Sequence, residues 1–190
     1  DLGAILAARG ALPVHDAIDY VLQACVGLAE AHASNVIHRD IKPSNLFSSK
    51  SATGARTIKV LDFGISKVGG SAGDERATGE RTADDSLLGS PYYMSPEQLR
   101  NPTRVDARTD VWSLAVTLYQ LLTAAYPFEG TTVNEISAAI FTEQPKDIAE
   151  LRPELPEALQ RAIARAHAKR PEQRTPSVVA LARELAPFGT

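Results

Sequence analysis

The 190-residue chain is 44% hydrophobic, 23% charged and 6% aromatic, the composition of one ordinary folded domain, which excludes a disordered, collagenous or coiled-coil protein. Twenty Lys and Arg against 23 Asp and Glu leave a formal net charge of −3. No global field then draws the chain to nucleic acid or to an anionic membrane, and any phosphate chemistry has to be local.

Cys25 is the single cysteine, so no internal disulfide can form and a reducing, cytoplasmic setting is the expectation. At this length folding removes roughly 70% of the surface an unfolded chain exposes, enough for a core without staples. The most apolar stretch, Val111 to Leu122, is interrupted by Ser113, Thr117 and Gln120 and falls short of the roughly 20 residues that span a bilayer. The chain opens at Asp1 without an initiator Met or an apolar leader. We therefore expect it to be cut from a longer protein, and whether that parent carries a membrane anchor elsewhere is left open.

Along the chain, Ile18, Val21, Leu22, Cys25, Leu28, Ala29 and His32 keep the three-and-four spacing of one helical face, predicting a helix over 13–33 with Pro13 in its first turn. Short apolar runs follow at Val36-Ile37, Asn45 to Phe47 and Thr57 to Leu61, and the Ser- and Gly-containing stretch Ser48 to Arg56 between the last two predicts a small hairpin. Residues 65–90 are rich in Gly, Thr, Ser and Asp without periodicity, and a loop of that length in a compact domain is usually functional or disordered. Asp110 to Leu122 is apolar on every side, predicting a helix sheathed by others. Helices over 132–141, 156–168 and 176–186 complete the chain, the last with Thr175 as cap, Pro176 at its first position and Val178, Val179, Ala182 and Leu185 facing inward. The expected fold class is α+β, mainly α, with a few short strands in the first third.

The chemistry concentrates in His38-Arg39-Asp40-Ile41-Lys42-Pro43-Ser44-Asn45, a loop expected between short strands, and in Asp62-Phe63-Gly64 at the end of the next strand. A hairpin brings Asn45 and Asp62 side by side. Phosphoryl transfer needs hard oxygen ligands for Mg2+, a cation beside the phosphate oxygens and an acceptor for the incoming hydroxyl's proton. These residues supply a candidate for each.

With those motifs in family order, and with Gly89-Ser90-Pro91 leading to Ser95-Pro96-Glu97, then Asp110-Val111-Trp112-Ser113 and Arg174, the chain resembles the eukaryotic-type Ser/Thr protein kinases. The resemblance covers residues 1–190 as the large C-terminal lobe of the catalytic domain, with 65–94 as its activation segment, and leans toward the bacterial members. It implies that Asp40 accepts or orients the substrate hydroxyl's proton. It further implies that Lys42 contacts the transferred phosphate, and that Asn45 and Asp62 hold Mg2+, with Mn2+ as the alternative ion. Lys42 points to Ser/Thr rather than Tyr substrates. For ATP it implies Phe47 as a floor under the adenine and Asp1 at the ribose. Ser90 takes the place of a Thr whose hydroxyl bridges the catalytic Asp and Lys. His38 stacks internally with Phe63, Asp110 anchors the catalytic-loop backbone, and Glu97 pairs with Arg174.

Each assignment competes with a plainer one. His38 beside Val36 and Ile37 reads first as a packed, hydrogen-bonded core residue, with which the resemblance agrees. Asp110 has the plainer reading of a helix-start acid favoured by the dipole, against which the otherwise apolar helix favours the anchor. Glu97 and Arg174 are by default surface charges worth little. The histidines at 15, 32, 38 and 167 lack zinc-ligand spacing. Gly64 to Ser71 is similar to a Walker A loop but has Gly70 where the Lys belongs, and the basic residues from Arg161 to Arg174 are flanked by Glu157 and Glu172 without interleaved aromatics. Neither nucleic-acid binding nor a P-loop is expected.

Thr78, Thr82 and Ser86 lie among acidic residues between Gly64 and Ser95. A phosphate there adds about −2 charge and would pair with Arg39, ordering the loop; Ser86 is the first choice and Thr82 the second. No Gly-rich phosphate loop, strand Lys or helix Glu partner is present. The missing small lobe is thus an expected partner besides ATP and a protein substrate, the fragment alone is expected to turn over little, and Leu2, Leu46 and Phe47 are expected to present an apolar face wanting cover. Smaller departures from the family are Ser95 for Ala, Ala115 for Gly and Arg170 for Asp. The alternatives are a kinase-like scaffold or peptide-docking module without catalysis, and a small-molecule kinase sharing the fold.

Overall fold

The computed structural model describes residues 1–50, 56–62 and 91–190. Helix α1 spans Leu2–Arg9, started by the Asp1 carboxylate accepting from the Ala4 N–H at 2.8 Å. Helix α2, Val14–Ala33, follows, then a one-turn 3-10 helix at Pro43–Asn45 and the antiparallel hairpin of β1, Leu46–Lys50, and β2, Arg56–Val60. The remaining described helices are α3, Pro96–Arg100; α4, Arg108–Thr123; α5, Val133–Thr142; α6, Ile148–Leu151; α7, Glu157–Ala166; and α8, Val178–Leu185. This is the mainly helical α+β class expected.

Helix α4 is the strut. Val111, Trp112, Leu114, Val116, Leu118, Tyr119, Leu121 and Leu122 are all buried, on every side of it, so α2, α6, α7 and α8 can pack around it. Each such large apolar side chain taken from water contributes about 1.5–3 kcal/mol. A second cluster forms where Trp112 and Val116 meet Tyr93, Phe128, Ile136 and Ile140. Because α4 is enclosed, its polar residues need partners inside: Ser113 Oγ donates to the Tyr93 carbonyl at 2.7 Å, and Gln120 Oε1 accepts from Tyr93 Oη at 2.5 Å. The left-handed Ala124, φ 56°, ends the helix by donating its N–H to Gln120 O.

The hairpin register pairs Leu46 with Val60 and Lys50 with Arg56. Alternation along β1 buries Leu46 completely and leaves Phe47 44% exposed. Of the three residues expected to form an apolar face, only Phe47 does so: Leu46 faces the core, and Leu2 is 0% exposed because α1 packs on β1 and on the turn at Pro43–Asn45. Val36 and Ile37 form no strand; the chain passes from α2 through an irregular segment to the 3-10 turn. The last helix also corrects the expectation. Its cap is Ser177, extended at φ −159°, whose Oγ accepts from the Ala180 N–H at 3.1 Å, whereas Thr175 is buried. Starting there, Val178, Leu181 and Leu185 make the inward stripe and Val179, one residue round the helix, is 44% exposed. No described helix is long and apolar enough to cross a membrane.

Candidate active site

Two structural elements hold the loop that carries Asp40. From α4, the fully buried Asp110 reaches its backbone: Oδ2 accepts from the His38 N–H and Oδ1 from the Arg39 N–H, both at 2.9 Å, and Oδ2 also receives Nε2 of His32 from α2 at 2.7 Å. Donors from three residues converging on one carboxylate fix the loop, so Asp110 does far more than begin a helix. The second hold is internal. His38 Nδ1 accepts the Asp40 N–H at 3.2 Å and its Nε2 donates to the Leu61 carbonyl at 2.9 Å. Since an N–H can only donate and a carbonyl only accept, these two contacts select the neutral ring protonated on Nε2. His38 is thus the buried, hydrogen-bonded core residue expected, and it ties the loop to the end of β2.

Arg39 takes the left-handed conformation, φ 66°, as does Asp62, φ 55°. A non-glycine residue there costs on the order of 1–3 kcal/mol and persists only where its surroundings hold it; for Arg39 those surroundings are Asp110 and, on the carbonyl side, Gln98 Nε2 at 2.7 Å. The Arg39 Nε is buried and has no hydrogen-bond partner among the described residues.

Around Asp40 the expected side chains gather. Lys42 Nζ lies 3.3 Å from Asp40 Oδ2, and Asn45 Nδ2 donates to the Asp40 carbonyl at 2.7 Å and to Oδ2 at 3.2 Å. The Asn45 amide is thereby oriented with its nitrogen toward Asp40, so its oxygen is the atom that can ligate a cation. Leu61 N–H donates to Asn45 O at 2.9 Å, extending the hairpin ladder one step and setting the backbone of Asp62 next to the end of the loop that carries Asp40. Asp1 is engaged as the α1 cap, and Phe47 stands exposed on β1. Phe63, Thr82, Ser86 and Ser90 lie outside the described residues.

Farther out, Arg174, 3% exposed, uses every guanidinium hydrogen. Nη1 donates to Glu97 Oε1 at 2.7 Å and to Arg108 O at 2.8 Å, Nη2 to Glu97 Oε2 at 3.0 Å and to Lys169 O at 3.2 Å, and Nε to Ala168 O at 2.9 Å, with the guanidinium 5.1 Å over the Trp112 ring. The expected pair is a buried bidentate bridge that joins α3 to the segment before α8.

Sequence reasoning missed three contributors. His32 counts there only as one more position of the apolar stripe on α2; a histidine in such a stripe was the available signal. Gln98 and Thr109 gave none, because their partners are distant in sequence. Ser95, noted only as a departure from Ala, caps α3 by accepting from the Gln98 N–H at 3.2 Å and meets Thr109 Oγ1 at 2.6 Å.

Three comparisons bear on this arrangement. A model of the protein kinase domain matches residues 1–185. Among curated proteins, the chain is 36% identical over 187 residues to the serine/threonine-protein kinase pkn3 of Myxococcus xanthus, covering 97% of this chain and 34% of that protein. It is also 36% identical over 188 residues to the tyrosine-protein kinase MasK of Myxococcus xanthus (strain DK1622), covering 95% of this chain and 27% of that one. The chain therefore spans about a third of the length of the first of these relatives and about a quarter of the second. Among solved structures, that of Rad53 residues 1–466 in complex with AMP-PNP superposes with a TM-score of 0.74 at 21% identity, covering 99% of this chain and 43% of that one, a likeness of fold. With the family model spanning nearly all of it and its loop anchored as the motifs require, this chain belongs to the protein kinase family.

Proposed function

We propose that these residues form the large catalytic lobe of a Ser/Thr protein kinase, which transfers the γ-phosphate of ATP to a protein hydroxyl when a small lobe covers the Phe47 face. The observation that carries this reading is the meeting of Asp40, Lys42 and Asn45 within hydrogen-bond and ion-pair distance on a loop whose backbone Asp110 holds. Kinship with kinases supports it, and so does a fold shared with a chain solved with AMP-PNP.

In this reading Asp40 accepts the proton of the substrate hydroxyl and aims its oxygen. Lys42, steadied by Asp40, offers its ammonium to the transferring phosphoryl oxygens. The donor types suit a hard divalent cation: the Asn45 oxygen left by the amide's orientation, together with the carboxylate of Asp62 on the neighbouring end of the hairpin, would hold Mg2+, or Mn2+ in its place. Bound there, the ion would supply charge neutralisation on the phosphate oxygens. Phe47 would lie under the adenine, Asp1 near the ribose, and Ser90 would bridge Asp40 and Lys42. Arg39, whose buried Nε has no partner among the described residues, would meet a phosphate carried by Ser86 or Thr82 within the activation segment, 65–94. Lys42 favours Ser/Thr acceptors, while the similar MasK bears a tyrosine-kinase name, so the acceptor is part of the test.

The test is radiolabelled phosphate transfer by the full-length protein, with phosphoamino-acid analysis of the product. Asp40→Asn should lower kcat by roughly 10²–10⁴-fold while nucleotide binding persists, and the label should sit on Ser or Thr. Undiminished transfer by Asp40→Asn removes the assigned role. Label on Tyr removes the substrate class, and absent transfer by the wild type favours the scaffold alternative.

A further inference from the structure

The peptide unit joining Arg39 to Asp40 is gripped at both ends. Its N–H goes to His38 Nδ1, and its carbonyl accepts from Gln98 Nε2 at 2.7 Å. Gln98 belongs to α3, the helix that follows the segment between Gly64 and Ser95, so its side chain is a direct strut from that helix to the residue before Asp40.

The hydrogen-bond directions around Gln98 admit one arrangement. A carbonyl only accepts, so the amide nitrogen faces Arg39 and Gln98 Oε1 faces Thr109, whose Oγ1 donates to it at 3.1 Å. With its hydrogen spent there, Thr109 Oγ1 accepts from Ser95 Oγ at 2.6 Å, and Ser95 Oγ in turn accepts the Gln98 N–H at 3.2 Å. Ser95 and Thr109 are fully buried and Gln98 is 9% exposed, so the ring of hydroxyls holds the amide in one orientation without competition from water. Thr109 adjoins Asp110, whose Oδ1 takes the Arg39 N–H. Arg39, in its left-handed conformation, is therefore held on both its N–H and its carbonyl.

We infer that Gln98 is a positioning residue for Asp40, a clamp through which the placement of α3 sets the placement of the catalytic carboxylate. The inference rests on the kinase reading for its effect on rate. The clamp itself is a property of the fold and can be read without catalysis.

Both parts are measured in the full-length protein. Gln98→Met keeps the length of the side chain and removes both polar atoms; Gln98→Glu keeps the shape and loses the donor. Each should speed amide hydrogen exchange over residues 38–42 by about tenfold or more while α4 keeps its protection, and should lower kcat by roughly 10- to 100-fold with KM for ATP within about twofold, as expected when a reacting group is displaced rather than a binding group lost. Thr109→Val should move both readouts the same way to a smaller extent, and Thr109→Ser, which retains the hydroxyl, should restore them.

Unchanged exchange over 38–42 in the Gln98 variants overturns the clamp. Faster exchange with unchanged kcat overturns its role in positioning Asp40. Faster exchange in a wild-type background that transfers no phosphate leaves the clamp standing and refutes the kinase reading instead. Equal effects of Thr109→Ser and Thr109→Val overturn the part assigned to the hydroxyl.

Discussion

Arg174 and Glu97 share two parallel hydrogen bonds, at 2.7 and 3.0 Å, and the three remaining guanidinium hydrogens end on the carbonyls of Arg108, Ala168 and Lys169. Removing one partner of such a buried pair leaves the other charge unmatched, at a cost of about 3–5 kcal/mol. Arg174→Met is expected to lower the unfolding free energy in urea by that amount. Arg174→Lys should recover little, since an ammonium has three donors and no planar fork. A loss below about 1 kcal/mol for either variant would show that the bridge contributes no more than a surface pair.

Asp110 presents one carboxylate to His32, to the His38 N–H and to the Arg39 N–H. Asp110→Asn turns one acceptor into a donor facing a donor. With roughly 1.5–3 kcal/mol attached to each hydrogen bond to a charged group, the variant should lose about 3 kcal/mol of stability and, in the full-length protein, most phosphate transfer. Retained transfer together with a native urea midpoint would refute the anchoring role.

His167 is 3% exposed, stands edge-on to Trp112, and has an Nε2 without a partner among the described residues. Burial, helped by the nearby Arg174 charge, pushes its pKa down to about 3. Between that value and the roughly 6.5 of an unfolded histidine, the unfolded chain binds a proton that the folded one does not, so stability rises with pH across this window. From pH 7.5 to pH 5 the wild type should lose on the order of 2 kcal/mol through this group, and His167→Leu should lose less by that margin. Parallel stability curves for the two proteins would exclude the effect.

Arg39 Nε, on the loop that carries Asp40, is buried without a partner among the described residues, and Ser86 and Thr82 lie in the segment proposed to carry the phosphate it meets. Ser86→Ala should lower turnover of the full-length enzyme, with intact mass showing one phosphate fewer. Because Asp84 and Asp85 already carry negative charge nearby, part of the activity should remain. Unchanged turnover in both Ser86→Ala and Thr82→Ala would remove phosphate ordering from the account.

The gathering of Asp40, Lys42 and Asn45 was legible in the sequence because it is compact: the three share one loop, and Asp62, proposed to join them, follows one hairpin later. The long helices were legible for a different reason: the apolar periodicity of α2 and the all-round apolar character of α4 reflect enough buried surface to outweigh local accidents. Helix α1 was not predicted; it buries little beyond Leu2, and its existence depends on packing against β1 and on the Asp1 cap. The start of α8 was misplaced because Thr175 and Ser177 are equally plausible caps locally, and only the stripe of Val178, Leu181 and Leu185 against the core selects Ser177.

Residue types at short spacing, then, determined which side chains gather on the loop proposed for phosphoryl transfer and which segments coil into helices. What the tertiary structure alone decided is which buried polar groups hold those atoms still. His32 meets Asp110 across 78 positions and Gln98 meets Arg39 across 59. No local pattern encodes such contacts; they exist because groups withdrawn from water must find partners wherever the packed helices bring them.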